Sequence, residues 1–243
     1  MASIEWGREL ADVYDSVYAE SSTSEALGPM VDVLAELAGE GAALEFAVGT
    51  GRVALALSER GVRVHGVELS EPMVDRLRKK RGAENVPVVI GDMTTARVPG
   101  RFRLVYLVAN TIMNVTAQEE QVAVFQNAAA HLDSGGVFLV AVIVPQLREV
   151  VGARGRVFTL GPDHVGVETF DDPVGQVAWS HHWMVVDGRL VRHSAPYRYV
   201  WPSELDLMAR LAGFRLRDRW ADWHRTPFTA DSGAQVASYQ KDG

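Results

Sequence analysis

Apolar residues recur at helical spacing from position 26 to 37 and run into Gly39 and Gly41, which predicts an amphipathic helix that stops just before a first strand. Beyond it, short continuous apolar runs alternate with amphipathic segments. Strands are expected over 42–48, 62–68, 86–90, 104–108 and 137–144, and helices over 52–60, 72–81 and 119–132. Strands that are apolar on both faces and separated by helices need crossover connections, so the sheet should be mostly parallel and covered on both sides.

After Pro145 the pattern changes. Residues 177–186 lead to Asp187-Gly188, a strong hairpin turn signal, and residues 190–201 return as a second strand. Alternation puts Trp179, His181, Trp183 and Val185 on one face and Ser180, His182, Met184 and Val186 on the other. A two-residue turn would set Trp183 opposite Arg192 and His182 opposite His193. Pro202 and Ser203 open a helix that Gly213 stops, and 214–220 and 235–239 read as a final antiparallel pair at a sheet edge.

The chemistry concentrates where the first strand ends. Gly49 and Gly51 give a tight turn without β-carbons, so that backbone N–H groups and the start of the next helix face a ligand, while Glu68, 17 residues after Gly51, can accept two hydrogen bonds from a ribose diol. Dinucleotide sites use the same two halves, but their fingerprint has a third glycine, and here Arg52, Val53 and Ala54 follow Gly51.

The composition narrows the partners. The chain has 243 residues, 47% of them hydrophobic, enough for a full core, with a net charge of −7 that argues against a generic nucleic-acid binder. The one basic run, Arg76 to Arg81, reads as a solvated helix face. Zero cysteines exclude disulfides, thiolate-zinc sites and cysteine nucleophiles. No apolar stretch approaches the roughly 20 residues of a membrane span, and the first residues lack a leader's basic and apolar regions, so a cytoplasmic enzyme is expected.

The run from Glu45 to Gly51 resembles motif I of the class I S-adenosylmethionine-dependent methyltransferases, an acid followed by Gly-x-Gly-x-Gly, with Ala47 in place of the first glycine. Gly91-Asp92-Met93 is similar to the family's adenine motif, Leu104 to Asn110 to its motif IV, and Leu132 to Val137 to its turn before strand five. The segment 202–214 is similar to its late helix, and Tyr14-Asp15-Ser16-Val17-Tyr18 to the lid segment of its small-molecule members. The resemblance implies an α/β fold, a Rossmann-like seven-stranded mostly parallel sheet with an antiparallel edge. The expected units are an N-terminal helical lid over 1–40, the cofactor domain over 41–145 and 202–243, and an inserted antiparallel β cap over 146–201.

The resemblance also assigns a site for S-adenosyl-L-methionine, which becomes S-adenosyl-L-homocysteine. Glu45 is expected at the amino group of the methionine moiety, Glu68 at the ribose, and Asp92 with Met93 at the adenine. Tyr14 and Tyr18 would act in the lid, and Asn110 beside the methyl donor. Ala47, Gly49, Gly51, Arg52, Leu69, Met73, Val108, Ala109 and Asn114 complete the expected contacts, with Thr111 a weaker one. Candidates for catalysis are His181, His182, Asn110 and Tyr18; Glu168, His164, Asp171, Asp172 and His224 are secondary. The histidines lack a ligand-like spacing with nearby acids, so no metal is expected. The partner would be a small, aromatic or heteroaromatic acceptor, methylated on oxygen, nitrogen or nucleophilic carbon in secondary metabolism, without nucleic acid or membrane, by a monomer or homodimer. A dehydrogenase of similar fold and a noncatalytic S-adenosylmethionine-binding module are the alternatives.

Overall fold

The computed structural model describes residues 8–146, 154–186 and 188–242. The first residues of the expected lid, the start of the expected insertion and Asp187 of the hairpin turn lie outside them. The chain opens with helices α1 (Arg8–Val17) and α2 (Ser24–Ala38). It then alternates through β1 (Ala43–Phe46), α3 (Arg52–Glu59), β2 (Val64–Glu68), α4 (Glu71–Leu77), β3 (Val88–Ile90), β4 (Phe102–Leu107), α5 (Gln118–His131) and β5 (Leu132–Ile143). These strands, with β10 (Phe214–Trp220) and β11 (Ala234–Lys241), form one seven-stranded sheet in the order β10-β11-β5-β4-β1-β2-β3. The five strands from β1 to β5 pair in parallel, whereas β11 lies antiparallel between β5 and β10.

All four residues of β1 are buried, because α2, α3 and Leu77 of α4 cover one face of the sheet while α5 and α6 (Pro202–Leu211) cover the other. That two-sided burial is why the strands read as unbroken apolar runs. Close packing also needs small residues: a β-carbon on Gly66 of β2 would stand 2.7 Å from a Val48 methyl. α5 runs directly into β5, and the register between β4 and β5 slips by several residues near Leu132, so the expected turn before strand five is absorbed as an irregularity of the strand.

The insertion is larger than the expected hairpin. β6 (Gly155–Leu160), β7 (His164–Asp172), β8 (Val177–Val186) and β9 (Arg189–Arg198) form a four-stranded antiparallel meander. The β8–β9 register sets Trp183 opposite Arg192 and His182 opposite His193, as the two-residue turn requires. One face of this sheet carries Ala178, Met184 and Tyr197, all buried, while Trp183 and Val185 on the other are exposed. Arg198 anchors the sheet: it donates to Gln121 of α5 at 2.6 Å and to Glu204 of α6 at 2.5 Å, and Gln118 and Gln176 also donate to Glu204. Among the described residues no helix is long and apolar enough to cross a membrane.

Candidate active site

The turn after β1 is built from left-handed backbone. Ala47, Gly49 and Gly51 have φ of 55°, 57° and 81°. Alanine at the first position therefore keeps the conformation glycine favours, a strain of the kind held at functional sites. Gly51 is restricted by packing as well, since a β-carbon there would stand 2.8 Å from Cγ of Leu77. The Gly49 N–H donates to Oε2 of Glu68 at 2.8 Å and the Ser70 N–H to Oε1 at 2.8 Å. The acid at the end of β2 is thus held against the glycine turn, and each carboxylate oxygen keeps a further lone pair for a hydroxyl. Burial raises the pKa of Glu68, opposed by bonds from the backbone of Ser70, Gly49 and Leu69. The N-cap of α4 is Ser70, which accepts from Met73.

Glu45 is not a surface acid. It is 3% exposed, accepts from the hydroxyl of fully buried Tyr106 at 3.0 Å, and has its pKa raised to about 8, chiefly by burial, against the opposing effects of Tyr106 and Arg52.

Helix α1 closes over this turn. Asp15 accepts from Thr50 at 2.6 Å and from Lys80 at 2.8 Å, and Arg76 donates to the side chain and the carbonyl of Asp12. The basic run read as a solvated face thus partly serves to hold α1, and α4 ends at Leu77 rather than 81. Arg52 donates to the Ser21 carbonyl at 2.9 Å. The rings of Tyr14 and Tyr18 lie 4.6 Å apart. Burial, then Tyr18, pushes the Tyr14 hydroxyl up to about 12, and Glu45 and Glu68 add to the rise against Arg52, which locates this phenol among the crevice charges.

The other expected contacts differ in what they do. Asp92 accepts from the Thr94 N–H and hydroxyl, both at 2.7 Å, so it caps its own turn; Asn127 fixes the same turn through the Met93 and Ala96 carbonyls. Leu69 is exposed, while Met73 and Val108 are buried beneath the crevice. Ala109 and Asn110 are left-handed, and Asn110 Oδ1 accepts from the Ile143 N–H at 2.8 Å, joining the ends of β4 and β5. Thr111 bonds back to the Val108 carbonyl, and Asn114 closes the short helix that follows.

A narrow cavity, partly open to solvent, lies beside this junction, at the C-terminal ends of β4 and β5. It is lined by Met113 and the 143–146 segment below and by Arg156, Glu168, Phe170, Tyr197 and Tyr199 of the four-stranded sheet above. Glu168, 7% exposed, accepts from Arg156 at 2.7 Å, and burial first, then Glu168, pushes the pKa of the Tyr197 phenol upward.

Residues 43–136 match the family described as a methyltransferase domain. The cypemycin N-terminal methyltransferase of a Streptomyces species is 32% identical over 194 residues, 78% of this chain and 78% of its own. Among solved structures, the CcbJ methyltransferase of Streptomyces caelestis aligns over 100% of both chains, with 32% identity and a TM-score of 0.85. CalS10 with bound S-adenosylmethionine, an amino pentose methyltransferase from Micromonospora echinaspora involved in calicheamicin biosynthesis, shares the fold over 94% of this chain and 96% of its own, at 18% identity and a TM-score of 0.73. The chain belongs to the S-adenosylmethionine-dependent methyltransferases.

The methyltransferase takes its methyl group from S-adenosylmethionine, and its relatives are enzymes of secondary metabolism. Of the two histidines expected to act in catalysis, His181 stands on the outer face, where it bonds Ser194 at 2.9 Å. His182 stands on the inner face and binds Ser180 and His164. Neither lines the cavity. Asp171 and Asp172 are exposed at the end of β7, and His224 lies outside the cavity, in a surface groove beside α2. Sequence reasoning missed Arg156, Phe170 and Met113. Two of these sit on β6 and β7, whose mixed polar composition gave no strand signal; their alternation across from 177–186 was the clue available.

Proposed function

We propose that the methyltransferase transfers the methyl group to an amine nitrogen of a small molecule seated in the cavity between the β4 and β5 ends and the β cap. Glu68 would hold the ribose hydroxyls, Glu45 the amino group of the methionine moiety, and Asp92 with Met93 the adenine. Ala47, Gly49, Gly51, Arg52, Leu69 and Asn110 would line the crevice, and Tyr14 and Tyr18 would cover it. The bound cofactor supplies a sulfonium methyl that an acceptor lone pair displaces in line, so the protein's task is alignment, exclusion of water and removal of a proton.

The observation that carries the amine reading is Glu168, a buried carboxylate facing a cavity walled by Phe170, Tyr197 and Tyr199. Glu168 is already ion-paired with Arg156, which lines the same cavity, and the aromatic faces around the pair attract a cation, so an aromatic or ring-bearing amine would share the carboxylate with Arg156. The relatives point the same way, one named for N-terminal methyl transfer and one for an amino pentose. Among the acceptor atoms left open by the sequence, nitrogen therefore suits the cavity better than oxygen or carbon.

The test is turnover on a panel of aryl and sugar amines, phenols and indoles, followed as S-adenosylhomocysteine formed. Amines should turn over, and Glu168→Gln should lower their kcat/KM at least about tenfold, roughly 1.4 kcal/mol, with unchanged cofactor affinity. Turnover of phenols or indoles alone would overturn the reading.

A further inference from the structure

The inner face of the cap holds a hydrogen-bonded string that the acceptor cavity does not account for. Ser180 of β8 stands directly opposite Glu168 of β7 on the same face, which sets their β-carbons about 4.5–5.5 Å apart. The Ser180 hydroxyl lies 2.7 Å from Nε2 of His182, and Nδ1 of His182 lies 2.9 Å from Nε2 of His164. The planes of the two imidazoles are inclined by 24°, with centroids 5.2 Å apart, so the rings meet edge to edge. His164 begins β7, immediately after the exposed residues 161–163. The string therefore starts beside the cavity carboxylate and ends where the chain meets solvent.

We propose that Ser180, His182 and His164 form a proton-exit string that carries the proton lost by the acceptor amine from the cavity to solvent; the inference rests on the amine reading above. An alkyl ammonium has no lone pair, so it must lose a proton before it can take a methyl group. The proton passes from nitrogen to the Glu168 carboxylate, which lines the cavity, and from there to the Ser180 oxygen opposite it as the hydroxyl proton moves to Nε2 of His182. The Nδ1 proton of His182 then passes to Nε2 of His164, which releases one to water from its other nitrogen. One proton enters and one leaves, and no electrons are transferred. A neutral imidazole bonded at both nitrogens suits this role, since it accepts at one and donates at the other.

The surroundings favour passage over storage. His182 is faced by Phe158 of β6, His164 of β7 and His193 of β9, with Glu168 and Tyr197 further along the same face. α1 also packs on β8, and its Asp12 and Asp15 are engaged by Arg76 and by Thr50 and Lys80. Burial first, then His164, His193 and His181, lowers the His182 pKa to about 4, so a proton does not rest there at neutral pH.

The experiment is steady-state kinetics from pH 6 to pH 10 on an amine the wild type methylates, comparing Ser180→Ala, His182→Gln and His164→Gln. Each variant should lose at least about tenfold in kcat at pH 7, with KM and S-adenosylhomocysteine affinity unchanged. The loss should close as pH nears the pKa of the amine itself, because a neutral amine has no proton to lose. Ser180→Thr, which keeps the hydroxyl, should follow the wild type. Wild-type kcat in Ser180→Ala and His182→Gln, or a loss that stays constant with pH, overturns the string. Should His182→Gln fail to fold, Ser180→Ala and His164→Gln decide. A wild type that methylates no amine removes the amine reading and this one with it, whereas an amine substrate whose turnover ignores the variants overturns the string alone.

Discussion

Glu45 accepts a hydrogen bond from the hydroxyl of Tyr106 at 3.0 Å, and the pair lies on neighbouring parallel strands in direct register. The phenol is fully buried and the carboxylate nearly so, so the acid is held in low dielectric, and among the described residues no cation is bonded to it. Burial disfavours its charged form, and a cationic ligand would restore it.

The first prediction is that cofactor binding releases a proton from Glu45. Its pKa of about 8 leaves it mostly protonated at pH 7, and an ammonium beside it would lower that value. Affinity for S-adenosylhomocysteine should therefore rise with pH up to about 8 and then level. Calorimetry in buffers of different ionisation enthalpy should register proton release that methylthioadenosine, which lacks the amino group, does not produce. By linkage, a carboxyl whose folded pKa is raised makes folding less favourable as pH climbs from its unfolded value of about 4.5 toward about 8, so Glu45→Gln should be more stable than wild type at pH 8.

Ala47 and Gly51 should respond oppositely to substitution. Ala47 already occupies a left-handed backbone, so Ala47→Gly relieves strain of about 1 kcal/mol and offsets the extra chain entropy of glycine, leaving stability level or slightly higher. Gly51→Ala adds a β-carbon against Leu77 at φ 81° and should destabilise by roughly 2 kcal/mol or more. Urea melts of the two variants would distinguish these outcomes.

Asp15 joins Thr50 to Lys80, so Asp15→Ala should release α1 from the glycine turn. The ion pair is half exposed, and exposed pairs contribute below about 1 kcal/mol, so the melting temperature should barely move. Cofactor affinity should fall several-fold, and in wild type it should weaken with added salt while the Asp15→Ala protein shows a flatter salt response. A salt-independent wild-type affinity would count against α1 as a cover.

Arg198 and Glu204 form the buried tie between the cap and the helices beneath it. Burial pushes the Glu204 pKa up, but bonds from Gln176, Arg198 and Gln118 outweigh it and the net shift is downward. The stability this provides is present above about pH 4.5 and is lost as pH falls through the folded pKa. Arg198→Ala leaves the acid unpaired and should cost about 3–5 kcal/mol, whereas replacing both partners by apolar residues should recover much of it. Paired thermal melts would show the difference.

Two-sided burial wrote the parallel sheet into the chain as unbroken apolar runs, and the need for left-handed backbone wrote the turn after β1 as Gly49 and Gly51, so both were legible in the sequence alone. The partnering of Glu45 with Tyr106 was not, because it joins strands 61 residues apart and depends on which strands are neighbours. Nor was the docking of α1 by Arg76 and Lys80, since a basic run carries no mark of the acid it will meet. The cavity was legible only in part, since Glu168 stood among the candidates and the insertion was expected to cap the acceptor, while its assembly escaped for a related reason. Arg156, Glu168 and Tyr197 lie on three strands whose half-exposed faces dilute the periodic signal, and only their antiparallel pairing brings the side chains together. Local conformational preference is carried by each residue, whereas the environment of a buried acid is set by what the tertiary fold packs around it.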